Sequence, residues 1–427
     1  VGAAGIEIRS LEVVEGSTER FPTGVPEVDR VLGGGLVPGA VLLVAGEPGI
    51  GKSTLVLQLL DSIHRQGRSS LLVTGEESLE QVGLRAARLG MDRSSFRAAA
   101  ATSLKPILEA AISDTPDVLV VDSIQTLQDE ALDQVAGSPT QVRGCTASLV
   151  RFAKGSGTVV VLVGHVTKEG TVAGPKTLEH VVDVVLTLEG ERMGTVRLLR
   201  SAKNRFGSCE ETGVFTMGGA GLAPVPDPSA MLLADRCTGV AGSVVLPSLE
   251  GRRPMLIEVQ ALVPSGTSPQ ARRVTSGIDQ RRLSLMLGVL AGRAGVSLAD
   301  RDVFLAAAGG FQVKEPAADL AIALALYSAA RDIPIPDDVV AFGELGLGGE
   351  VRRVPGLERR LREAARLGFK TALVPRLDGV DRPPMRLIEV ARLHEAFAHL
   401  PSSGAPRVAS QQASQDTAVV SLGTRQS

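Results

Sequence analysis

Aromatic side chains are scarce in this 427-residue chain, which has no Trp, one Tyr and ten Phe. A protein that grips single strands by stacking successive bases needs a platform of such rings, so any nucleic-acid contact falls to the phosphate backbone. Charge of one sign is lacking too. The 45 Lys and Arg and 47 Asp and Glu leave a formal charge of −2, so no global basic field exists, and such contact must come from local patches or an assembled surface. The three cysteines, Cys145, Cys209 and Cys237, are too far apart for a disulfide framework or a metal-ligand spacing and read as plain buried thiols. No apolar run is long enough to cross a bilayer, and the most apolar stretch, "AADLAIALALYSAA" at residues 317–330, reads as a buried helix. Neither the basic start nor the apolar centre of a signal peptide is visible. The expected location is therefore the cytoplasm.

What is present is the composition of an ordinary globular protein, with 44% hydrophobic and 22% charged residues, in a chain long enough for two or three domains. Short β-branched runs ("VLLVAG", "SLLVTG", "VLVVDS", "VVVLVGHV", "VVDVVLTL") alternate with longer amphipathic stretches. That alternation predicts an α/β domain, a parallel sheet covered by helices on both faces. The later runs "TVRLLRS" and "TGVFTM" have shorter connections and predict added antiparallel strands. Three prolines in "APVPDPSA", residues 223–230, break the pattern, giving a first domain over 1–230 and a second, α+β domain over 239–400. The second carries five arginine pairs: Arg252 with Arg253, Arg272 with Arg273, Arg281 with Arg282, Arg352 with Arg353 and Arg359 with Arg360. Each pair alone reads as solvated surface, but together they predict at least one phosphate-contacting patch. Residues 401–427, rich in Ser, Gln and Ala, predict a disordered tail.

"GEPGIGKST" (Gly46, Glu47, Pro48, Gly49, Ile50, Gly51, Lys52, Ser53, Thr54) follows an apolar strand and opens a helical pattern. This is the phosphate-loop arrangement, in which glycines let backbone N–H groups curl around phosphate oxygens. Lys52 then serves the β- and γ-phosphates of ATP and Ser53 serves Mg²⁺. "VLVVDS" ends in Asp122, a carboxylate at a strand end that suits the same magnesium ion. In "TGEES", Glu76 and Glu77 follow the second strand, where a carboxylate can orient and deprotonate the attacking water. Glu76 is preferred; the alternative for both is a helix N-terminus whose dipole favours acids. His165, at another strand end, is either a γ-phosphate sensor or a histidine without that role.

Those motifs, followed by "GHVTKEGTVAGPKTLEHVVDVVL" and "AKNRFGS", resemble the RadA (Sms) family of bacterial DNA repair proteins. KaiC-type ATPases share the first part of the pattern but lack "KNRFG". The resemblance implies a RecA-like ATPase with ATP and Mg²⁺ as its cofactors and Glu76 as catalytic carboxylate. It also implies a hexameric ring that acts on single-stranded or branched DNA together with a RecA-type recombinase. Lys168 and Lys176 fall in a loop that faces the ring's pore, where their charge suits a phosphate backbone; Arg272 and Arg273 are further DNA candidates. Lys203 and Arg205 of "KNRFG" have no acidic neighbour in the stretch, and the implied role for one or both is to reach the γ-phosphate of an adjacent subunit; alternatively Arg205 holds DNA, or both are solvated at a strand end. The second domain resembles the proteolytic domain of Lon, whose serine and lysine positions match Ala317 and Arg360. Alanine has no nucleophile and arginine stays protonated, so no peptidase activity is expected. The family usually begins with a four-cysteine zinc module, and no CxxC pair occurs here: truncation, a late-assigned start and a version without zinc all fit. A KaiC-like signalling ATPase that binds no DNA is the rival reading.

Overall fold

A computed structural model describes residues 19–92, 97–165, 178–190, 194–379 and 381–400. The first half contains helices α1 (Pro26–Leu32), α2 (Lys52–Arg65), α3 (Leu79–Arg88), α4 (Leu104–Asp114) and α5 (Pro139–Ser156). Its strands are β1 (Val41–Gly46), β2 (Ser70–Thr74), β3 (Ala98–Ala100), β4 (Val118–Asp122), β5 (Val159–His165), β6 (Val184–Glu189), β7 (Val196–Asn204), β8 (Thr212–Gly218) and β9 (Gly221–Pro224). They form one sheet in the order β3-β2-β4-β5-β1-β6-β7-β8-β9. The strands from β3 to β6 are parallel and β7, β8 and β9 are added antiparallel, as the shorter connections predict. This is the RecA-like α/β core.

β1 shows why the central strands are apolar along most of their length. Because side chains alternate between faces, Leu42 and Val44 join α1, α2 and α3 in one core. Val41, Leu43 and Ala45 join α4 and α5 in the other. Both faces are covered, so a polar residue at any of these positions would lose its water.

The second half contains α6 (Pro228–Leu233), α7 (Gln280–Ala294), α8 (Asp319–Arg331), α9 (Leu357–Arg366) and α10 (Leu393–Ala398). Its strands are β10 (Ser243–Glu250), β11 (Arg253–Leu262), β12 (Arg273–Ser276), β13 (Val303–Ala307), β14 (Val339–Ala341), β15 (Glu344–Leu345), β16 (Val351–Arg352), β17 (Thr371–Val374) and β18 (Arg386–Glu389). A seven-stranded mixed sheet runs β12-β13-β11-β10-β14-β17-β18, and β15 pairs with β16 alone. The expected apolar helix is α8, buried from Asp319 through Leu326 against β10 and β11. α6 packs on β11, so the chain changes sheets across residues 225–227. Residue 230, where the composition break put the boundary, lies inside α6.

Two expectations about side chains need correcting. Only Cys145 is a buried thiol, while Cys209 and Cys237 are exposed. The arginine pairs are also not uniformly surface. Arg253 is 6% exposed and joins the two halves of the molecule. Its guanidinium pairs with Glu27 of α1 and donates to the Thr212 and Val225 carbonyls at 3.0 and 3.2 Å. The same carboxylate accepts the Val214 N–H at 2.7 Å.

Candidate nucleotide site

Parallel strands present all their C-terminal ends at one edge of a sheet, and ligands bind in the crevice outside that edge. Here the register puts Gly46 beside His165 and Thr74 beside Asp122. Four separate sequence motifs therefore converge. From Gly46 the chain loops through residues 47–51 into α2, whose first residues are Lys52, Ser53 and Thr54. Gly49 and Gly51 have φ of 79° and 118°, backbone that side chains rarely adopt; a Cβ on Gly51 would also lie 2.7 Å from the Met217 methyl.

The Lys52 ammonium donates to the Gly46 and Glu47 carbonyls at 3.0 and 3.1 Å and sits 3.0 Å from His165 Nδ1. An ammonium only donates, so Nδ1 accepts and the ring proton belongs on Nε2. That Nε2 lies 3.3 Å from Glu76 Oε1, which also accepts from the Ser123 hydroxyl. Burial lowers the Lys52 pKa, against the pull of Asp122 and Glu76. Burial raises the Asp122 pKa, against a hydrogen bond from the Ser53 hydroxyl. Glu77 is paired with Arg85 of α3, while the Glu76 side chain remains 42% exposed. Glu76 thus joins the loop lysine through His165, whereas Glu77 is held by Arg85 of the helix that follows it. Ser78 caps α3 in a reciprocal box with Gln81 and fixes the entry of that segment.

Ser53 and Asp122 fit a magnesium ion. Mg²⁺ at phosphates is held by one or two protein oxygens, the rest of its shell coming from phosphate and water, and a hydroxyl bonded to a carboxylate supplies such a pair. A closed protein cage is a different matter: among the described residues no group of three or more His, Cys, Asp or Glu could hold a metal.

Lys203 and Arg205 lie away from this edge. β7 runs antiparallel to β6, so Lys203 is opposite Val185 while Leu198 is opposite Glu189, near the phosphate loop. The Lys203 ammonium donates to the Glu179 and Val182 carbonyls, and burial lowers its pKa, with Arg205 beside it adding to the effect. The acidic partner missing from the local sequence is Asp183, 3.3 Å from the Arg205 guanidinium. Asp183 also binds Lys154 at 2.8 Å and the Val41 N–H at 3.0 Å.

Lys168 and Lys176 lie outside the described residues. Arg272, 70% exposed, forks onto Asp302 at 2.7 and 2.9 Å, and Arg273 donates to the Leu298 and Ala299 carbonyls at 2.6 and 3.1 Å. Ala317 and Arg360 are each 1% exposed. Arg360 pairs with Glu315 and donates to the Pro247 carbonyl at 2.6 Å, which ties up its guanidinium two residues from Ala317.

Sequence reasoning missed Arg197. It is 5% exposed on β7, and its Nε donates to the Ile50 carbonyl of the phosphate loop at 3.1 Å. The signal was its phase: with Leu199 and Ser201 it occupies the inward face of the strand. Arg200 on the same strand pairs with Glu250 of β10, tying β7 to the second domain. A cleft of about 600 Å³ between the domains, lined by Glu189, Arg200, Glu250, Phe311 and Glu315, is separate from the phosphate loop.

Comparison with known proteins agrees with this geometry. Residues 21–101 match the family described as "ATPase: KaiC", and residues 294–378 match "Subunit ChlI of Mg-chelatase". The chain is 48% identical over 401 residues to the DNA repair protein RadA of Pseudomonas aeruginosa, covering 93% of this chain and 88% of that protein. It is 46% identical over 394 residues to RadA of Bacillus subtilis (91% and 85% covered) and 44% identical over 401 residues to RadA of Escherichia coli (93% and 87% covered). Among the described residues, no helix is long and apolar enough to cross a membrane.

Proposed function

Because the chain belongs to the RadA family of DNA repair proteins, we propose that it is a DNA-dependent ATPase that drives movement along single-stranded or branched DNA during recombinational repair. The observation that carries the reading is the convergence of Lys52, Ser53, Asp122, Glu76 and His165 on one sheet edge. The loop's N–H groups and Lys52 bind the phosphate chain of ATP. Glu76, held by Ser123 and His165, orients the attacking water and takes its proton. Magnesium, when bound at Ser53 and Asp122, neutralises charge on the β- and γ-phosphates.

The transferred phosphoryl group needs further positive charge, and Lys203 and Arg205 supply it to a neighbouring subunit in a hexameric ring. The place of Lys203 on β7, with Arg205 just beyond the strand's end, is away from their own loop and supports a role in trans. Lys168 and Lys176 contact the DNA backbone in the pore, with Arg272 and Arg273 as a secondary patch. The second domain is a Lon-like platform without peptidase activity, a reading supported by Ala317 at the nucleophile's position and by the engagement of Arg360. The motor works on recombination intermediates with a RecA-type recombinase.

The test is the ATPase rate with and without single-stranded DNA, in the wild type and in Lys52→Ala. Stimulation by DNA in the wild type, and loss of turnover in the variant, is expected. A rate indifferent to DNA would favour the second reading, a KaiC-like signalling ATPase, with which the protein shares the ATPase fold over residues 21–101.

A further inference from the structure

A buried guanidinium normally faces a carboxylate, because leaving a charge unpaired away from water is costly. Among the described residues, Arg197 has no carboxylate partner. Among the described residues its hydrogen-bond partners are the backbone carbonyls of Ile50 (3.1 Å), Gly194 (2.6 Å) and Val196 (2.9 Å). Two of these belong to its own hairpin. The third belongs to the phosphate loop, 147 residues earlier in the chain.

We infer that Arg197 is a positioning residue for nucleotide binding: by holding the Ile50 carbonyl outward, it aims the Gly51 N–H at the phosphate chain. The peptide bond is planar and trans, so its C=O and N–H point in opposite directions. Fixing the carbonyl therefore fixes the donor behind it. Gly51, with φ of 118°, has no side chain to resist a flip of that peptide, so the orientation has to be imposed from outside. The planar guanidinium is suited to this, since its Nε and Nη1 bind the loop and the hairpin simultaneously in a fixed geometry. The hairpin is anchored in turn, because Arg200 of β7 pairs with Glu250 of the second domain.

The inference rests on the ATP reading of the site, and the experiment separates the two. Arg197→Met keeps the length of the stem and removes the donors. Phosphate contacts made by a loop N–H exist in both ground and transition states, so their loss raises KM and leaves kcat alone. The expected result is a KM for ATP and a Kd for ADP each raised about tenfold, the scale of one hydrogen bond to a charged group, with kcat within about twofold of the wild type. Where the Met variant does not fold, Arg197→Lys is read on the same split: it keeps a cation and most of the stem but loses the fork, and a smaller rise in KM and in the Kd for ADP is expected, with an unchanged melting temperature. A folded variant whose KM and ADP affinity match the wild type overturns the inference, as does a fall in kcat at constant KM. A wild-type protein that neither binds ADP nor hydrolyses ATP overturns the ATP reading itself.

Discussion

The placement of Lys203 can be tested by mixing subunits. Lys203 stands opposite Val185, whereas Gly46 at the end of β1 stands opposite Leu188. The three-residue offset is about 10 Å along the strands, and the two strand spacings from β1 to β7 add about 10 Å across them. A lysine stem cannot span that distance to the phosphates beyond Gly46. Lys203→Ala therefore removes nothing from its own site, yet if the cation acts on the neighbour it should cost about 10³-fold or more in kcat, the scale of a cation supplied in trans to a phosphoryl group. Lys52→Ala should be inactive for a different reason, the loss of its own phosphate contact. In a ring whose subunits meet head to tail, an active site needs an intact Lys52 on one side and an intact Lys203 on the other. When the two variants are co-assembled in equal amounts, the product of two even chances leaves about one site in four intact. The assay is phosphate release by the co-assembled mixture against each variant alone, with excess single-stranded DNA. Recovery of about a quarter of the wild-type rate is expected if sites turn over independently. A mixture no more active than its parts would refute the reasoning and leave Lys203 with its structural role, tying the residue 179–182 turn to β7.

Three further predictions concern the same framework. Glu76→Gln should retain ADP binding and the fold but lose about 10²-fold or more in kcat, the scale of a positioned general base; a normal kcat would remove Glu76 from the chemistry. Glu27→Ala leaves the Arg253 guanidinium buried among carbonyls and should destabilise the protein by about 3–5 kcal/mol in urea unfolding, while Glu27→Ala with Arg253→Met should regain much of the loss; a single-variant change below about 1 kcal/mol would show the pair to be dispensable. In thiol labelling of the native protein, Cys209 and Cys237 should react promptly and Cys145 only on unfolding. Burial pushes the Cys145 thiol up from 9.0 to about 11, so at neutral pH it is protonated, and stability falls as the pH rises from the ordinary thiol value through the folded one, where the unfolded chain has lost this proton and the native protein still holds it. Prompt labelling of all three thiols would contradict the fold around α5.

Where the sequence was legible, the reason is that local patterns had a single physical reading. β1, β2, β4 and β5 were visible because a strand covered on both faces carries a nearly continuous apolar run. Lys52, Ser53 and Asp122 could be singled out as candidates because a phosphate loop and a strand-end carboxylate carry their chemistry within a few residues. Arg253 and Arg360 were misleading for the same local reason: a pair of arginines looks like surface unless the carboxylates of Glu27 and Glu315, distant in sequence, are known to meet them. Cys209 and Cys237 misled because a lone cysteine has no pattern from which burial can be read.

The sequence by itself determined the kinds of element, the nucleotide chemistry and the family, because periodicity, turn glycines and motif spacing are local properties of the chain. Only the tertiary structure decided which distant groups share an environment. It brought His165 between Lys52 and Glu76, gave Arg205 its partner in Asp183, placed Lys203 well away from its own loop, and set Arg197 against the Ile50 carbonyl. Each of these depends on strand order and register, and no window of sequence contains either. A β7 paired in parallel would have carried Lys203 to the phosphate edge with every residue unchanged.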